Sequence, residues 1–109
     1  MVWNIIFFKN QSGKEIVKDS IRSLERTTMS KVARFLNLLR HEGPFLAMPY
    51  SKKITSKIFE LRIHGKQEIR IFYTFQDDCV YILHIFQKKS QKTPLKEIRT
   101  AEFRLKSLT

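Results

Sequence analysis

The chain has 109 residues, with 21 Lys or Arg against 10 Asp or Glu, a formal net charge of +11. At 13.0 kDa it has the length of one domain spanning 1–109, and a hydrophobic fraction of 42% with nine Phe supplies enough apolar material for a core, which excludes wholesale disorder. No apolar run approaches the roughly 18 residues that span a bilayer, residues 1–8 lack the basic leader and cleavage site of a signal peptide, and the single Cys79 excludes an intramolecular disulfide framework, so a cytoplasmic protein without membrane contact is expected.

Val2 to Phe8 is rich in Ile and Phe and reads as a short buried strand. Ser12 followed by Glu15 has capping-box spacing and predicts a helix start, with Val17, Ile21 and Leu24 continuing at helical intervals. Val32, Phe35, Leu36 and Leu39 form the apolar stripe of a second helix, stopped at Gly43–Pro44. The period then changes to two. Phe59, Leu61 and Ile63 alternate with Glu60, Arg62 and His64; a turn at Gly65–Lys66 leads to Ile69, Ile71, Tyr73 and Phe75 alternating with Arg70, Phe72 and Thr74. Asp77–Asp78 marks another turn, and Cys79 to Gln87 is apolar on both faces, as an interior strand would be. Thr93–Pro94 offers an N-cap and a first-turn proline to a last helix bearing Ile98, Ala101, Leu105 and Leu108.

The expected fold is therefore α+β, in the order β-α-α-β-β-β-α, with an antiparallel meander and two helices on one sheet face. That leaves the opposite face uncovered, carrying Glu60, Arg62, Arg70 and Phe72, joined by His84, Phe86 and Lys88 if the third strand of the meander is in phase.

The charge is concentrated around this face. Residues 1–50 hold eight basic and four acidic residues, and residues 51–109 hold thirteen and six. Lys52, Lys53 and Lys57 precede the Glu60 strand, and Lys88, Lys89 and Lys92 follow the last one. Such clusters attract phosphates through counterion release, and Phe72 and Phe86 could stack on unpaired bases; solvated flanks for the lysines and plain packing for Phe72 are the competing readings. The three His and Cys79 lack metal-ligand spacing, and no nucleotide-binding glycine motif is present, so neither a metal nor a cofactor is expected.

The segments FELRIHGKQEIRIFY (59–73) and YILHIFQKKSQKTPLKEIRTAEFR (81–104) resemble the RelE/ParE superfamily of toxins from type II toxin–antitoxin modules, and within it the HigB-like branch. The shared features are an ELR strand, an Arg-aliphatic-aromatic-Tyr strand, a strand ending in Phe-x-Lys-Lys, and a Lys-Thr-Pro helix start, in this order. The resemblance implies a small RelE-like fold with a curved antiparallel sheet. It also implies an mRNA interferase, an endoribonuclease that cleaves messenger RNA on the ribosome and inhibits translation. The ribose 2′-hydroxyl attacks the scissile phosphate without a metal. Glu60, Arg62, Arg70, Lys88 and Lys89 are the catalytic candidates that the resemblance singles out; the charge clusters and the uncovered face, read separately, make Lys52, Lys53, Lys57, Phe72 and Lys92 the candidate nucleic-acid contacts. For Glu60, a base and an ion-pair partner of Arg62 or Arg70 remain alternatives. No tyrosine follows Tyr81, and the Asp-Tyr-His ending of some HigB toxins is missing, so the general acid and base are unassigned. The implied partners are the ribosome, mRNA and a HigA-like helix-turn-helix antitoxin, through which alone operator DNA would be reached. A ParE-like inhibitor of DNA gyrase and a non-catalytic basic RNA-binding module are the alternatives.

Overall fold

The computed structural model describes residues 2–108. It is an α+β structure in which a five-stranded mixed sheet lies between helices on both faces. Strand β1 (Asn4–Phe7) leads to helices α1 (Ile16–Arg22) and α2 (Arg26–Glu42). A short 3-10 turn at Gly43–Phe45 then precedes β2 (Ser51–Lys53), β3 (Phe59–Ile63), β4 (Ile69–Gln76), β5 (Cys79–Gln87) and helix α3 (Leu95–Lys106). The sheet order is β1-β5-β4-β3-β2.

The antiparallel meander of β3, β4 and β5 forms as the alternation predicts. Two features correct the expected topology. Strand β1 joins β5 in parallel, after the chain has passed through α1 and α2 to the opposite edge of the sheet and returned through the meander. A further strand, β2, pairs antiparallel with β3; it is only three residues long and two of them are lysines, so it leaves almost no alternation to detect.

Helices α1 and α2 cover one face. Val17, Val32 and Leu39 pack there against Leu61, Ile63, Ile69, Ile71, Tyr73, Val80 and Ile82. Helix α2 ends at Gly43, whose φ of 54° suits a residue without a Cβ. A Cβ there would also fall 2.3 Å from Nε1 of Trp3, the residue whose backbone N–H donates to the Arg40 carbonyl. At the β4–β5 turn, Asp77 and Asp78 both take positive φ (52° and 63°), the pairing that a tight hairpin requires.

The opposite face is not left open, contrary to the pattern reading. Helix α3 lies over it, packing Ala101, Ile98 and Leu105 against Ile58, Phe72, Leu83 and Phe86. A bulge makes this fit. Phe72 pairs with His84 while Tyr73 pairs with Ile82, so Leu83 has no partner on β4. Its carbonyl instead accepts a hydrogen bond from the Arg104 guanidinium of α3 at 2.8 Å. Helix starts also differ from the capping patterns. Asn10 Oδ1, not Ser12, accepts the backbone N–H groups of Ser12 and Lys14 ahead of α1. Thr93 does not cap α3, whose N-cap position is Pro94. No helix among the described residues is long and apolar enough to cross a membrane.

Candidate phosphate-binding cleft

The register of β3, β4 and β5 stacks the charged side chains of the α3-side face in rows. Glu60 pairs with Phe72 and Phe72 with His84; Arg62 pairs with Arg70 and Arg70 with Phe86. One step further, beyond the end of β3, His64 and Glu68 meet side chain to side chain, and the Lys88 N–H donates to the Glu68 carbonyl. Helix α3 covers the row of Phe72 and reaches Phe86 in the next row, while the Arg62 and Arg70 end of that row borders open space. Arg62, Glu68, Arg70, Lys88, Lys89, Ser90 and Gln91 therefore line an open cleft of about 530 Å³.

Four of the five catalytic candidates line this cleft: Arg62, Arg70, Lys88 and Lys89. Arg70 is 3% exposed; it donates to the Ile69 carbonyl at 3.1 Å and to Glu68 Oε1 at 3.3 Å. Arg62 is half-buried, with Nε 3.8 Å from Glu60 Oε1, an ion pair too long for a hydrogen bond. The Nε atoms of both arginines are buried without a hydrogen-bond acceptor among the described residues. Two arginines and two lysines lining one open cleft suit the oxygens of a phosphodiester.

Glu60, the fifth candidate, is 2% exposed and does not line the cleft. Thr93 donates its hydroxyl to Glu60 Oε2 at 3.1 Å, so this carboxylate is enclosed between Arg62 and the approach to α3. Its ion-pair reading is the one that the geometry supports. Lys52 lies opposite Glu60 on the edge strand and shares its face. Lys53 lies opposite Phe59, with Nζ 6.0 Å from that ring, which places it on the α1–α2 side. Lys57 is exposed beside Thr74, whose hydroxyl donates to its carbonyl, about 13 Å of strand from Arg70. Lys92 is exposed just past the cleft wall. Phe72 is fully buried under α3, so base stacking is corrected to core packing.

His84 is likewise structural. Its Nδ1 accepts from Arg104 at 3.2 Å, which leaves Nε2–H to donate to Glu97 at 2.8 Å. Burial pushes its pKa down, and the nearby Arg104 charge adds to this, against the opposing pull of Glu97. Cys79 is partly buried at the start of β5.

Glu68 is the cleft residue that the pattern missed. Its Oε1 takes hydrogen bonds from both His64 and Arg70, and its Oε2 takes the Gly65 N–H at 3.2 Å. Burial alone would raise its pKa, but the His64 bond and charge, the Gly65 N–H and Arg70 outweigh it and hold the carboxyl below its usual range. A carboxylate two residues before Arg70, and four after a histidine across a tight turn, is the signal that could have found it.

The sequence profile of the family described as Phage derived protein Gp49-like matches residues 19–106. A comparison with curated proteins finds no match.

Proposed function

The chain belongs to the phage-derived Gp49-like family, a family of RelE-like toxins, and from this premise we propose that it is a HigB-like toxin that cleaves messenger RNA on the ribosome. The observation that carries this reading is the convergence of Arg62, Arg70, Lys88 and Lys89 on one open cleft.

The reaction that suits such a cleft is attack by a ribose 2′-hydroxyl on the adjacent phosphodiester. The developing charge on the phosphorane oxygens needs preorganised donors. Arg70, fixed by Glu68 and the Ile69 carbonyl, and Arg62, beside Glu60, supply them. Lys88 and Lys89 add positive charge where the chain leaves β5, and the exposed Lys52 and Lys92 extend the attraction along the message. Glu60 acts as a positioning group for Arg62, because it is buried and already hydrogen-bonded by Thr93. The toxin is held in check by an antitoxin, proposed to be a HigA-like helix-turn-helix protein, which alone would contact operator DNA.

Programmed ribosomes incubated with the purified protein, followed by mapping of 5′ ends, test the proposal. New message ends at the decoding site are expected. Intact message together with inhibition of DNA supercoiling would replace the reading with a gyrase inhibitor; intact message with RNA binding alone would reduce it to a binding module.

A further inference from the structure

We infer that His64 is the general base of this cleft, and that Glu68 is the residue that positions it. The inference deepens the ribonuclease reading and rests on it.

The geometry is specific. Nδ1 of His64 lies 2.8 Å from Glu68 Oε1, the same oxygen that takes the Arg70 guanidinium at 3.3 Å. The two contacts share one atom, so the imidazole nitrogen and the guanidinium nitrogen are no more than about 6 Å apart. A phosphate held by Arg70 would therefore lie beside the His64–Glu68 pair. With Nδ1–H donating to Glu68, Nε2 is the nitrogen that carries the free lone pair. A histidine oriented by a carboxylate in this way is a standard proton acceptor for a hydroxyl nucleophile. Among the described residues, the carboxylates nearby and the histidine on β5 are already engaged. Glu60 is buried, His84 is occupied on both nitrogens, and Glu68 has its carboxyl committed to three donors.

The turn that carries His64 is held from below. Lys31 of α2 donates from Nζ to the His64 carbonyl at 2.6 Å, and Glu68 takes the next backbone N–H, that of Gly65. The ring itself stays 57% exposed, at the rim of the cleft that Glu68 and Arg70 line. The charged groups around it are Glu68 just before β4, Arg70 on β4, Lys31 and Arg34 on α2, Arg62 on β3, and Lys66 in the turn.

In the step, Nε2 takes the proton of the 2′-hydroxyl as O2′ bonds to phosphorus. The P–O5′ bond breaks, and the leaving 5′ oxygen takes a proton from water at the open cleft. The products are a 2′,3′-cyclic phosphate and a 5′-hydroxyl, and His64 returns its proton to solvent.

The test compares the wild-type protein with His64→Ala and Glu68→Gln on programmed ribosomes across a pH series, with RNA affinity and thermal unfolding measured in parallel. His64→Ala should keep its affinity and melting temperature, lose about 10²–10⁴-fold in cleavage rate, and lose the acidic limb of the pH–rate profile. Added imidazole should restore part of the rate. Glu68→Gln should retain that limb at a reduced rate. Wild-type cleavage with His64→Ala equally active, or slowed with the acidic limb intact, overturns the role of His64 while leaving the ribonuclease reading in place. No cleavage by the folded wild-type protein overturns both.

Discussion

Arg62 on β3 and Arg70 on β4 are direct register partners on one face of the sheet, a pairing of like charges. Such a pair is destabilising when unsupported, and here each arginine has its own carboxylate, Glu60 beside Arg62 and Glu68 beside Arg70. The two cations are thereby kept close together without a shared counter-ion between them. One phosphodiester could satisfy both.

Replacing Arg70 tests the pair. Arg70→Ala relieves the like-charge contact and leaves Glu68 with His64 and the Gly65 N–H, so the fold should survive. Cleavage should fall by about 10²–10³-fold, the usual scale for one lost charge-stabilising donor. Arg70→Lys should not restore it, because an ammonium lacks the planar fork. Growth arrest on induction, read beside a thermal melt, checks both points; arrest by a folded Arg70→Ala protein would remove Arg70 from the site.

Phe72→Ala separates packing from base stacking. The side chain is completely buried, in edge-to-face contact with Phe86 at 5.2 Å and under Ala101 of α3. Truncation should cost about 3–5 kcal/mol of stability, measured by urea unfolding. A change in RNA affinity with unfolding unaltered would contradict the packing assignment.

Stability should fall on mild acidification through His84. Burial depresses its folded-state pKa below the ordinary value of 6.5. The unfolded chain therefore binds the proton first as pH drops, and stability present above 6.5 is lost progressively down to the folded-state pKa. The lowered carboxyl of Glu68 acts in the same direction at lower pH: its contribution is full above 4.5 and is lost as pH falls through the folded-state value. Urea midpoints between about pH 7 and about pH 5 should decline, and His84→Gln should flatten the upper part of that decline. An unchanged slope in the variant would place the titration elsewhere.

RNA binding should weaken with salt in proportion to the phosphates neutralised. Each lysine that contacts a phosphate contributes about 0.7 to the slope of log affinity against log salt on a single strand. Removing Lys88 and Lys89 together should make the slope shallower by about twice that amount, whereas Lys53→Ala, on the far face beside Phe59, should leave it nearly unaltered. Equal effects from all three lysines would point to diffuse attraction rather than a cleft.

The parts of this arrangement that were legible in the sequence are those that follow from period two. Alternation put Arg62 and Arg70 on one face, and the short hairpin turns brought Lys88 and Lys89 to the same end of the sheet. What alternation could not give was the side on which α3 docks. An amphipathic stripe shows that a helix packs, not where, so Phe72 looked available and Glu60 looked like an exposed acid. The bulge at Leu83 and the Thr93–Glu60 bond are tertiary choices that leave no local pattern. Thr93 does satisfy a polar group, but a carboxylate 33 residues away rather than the helix end beside it.

The three-residue strand β2 has a further bearing on how the molecule behaves in solution. It forms one open border of the sheet, where unpaired backbone groups could recruit a strand from a second molecule. Its shortness and the exposed ammonium groups of Lys52 and Lys53 make it a poor template for that growth. Lys52, which shares the face of the cleft, thus also belongs to the pair of charges that guards this border against strand-to-strand addition by neighbouring copies.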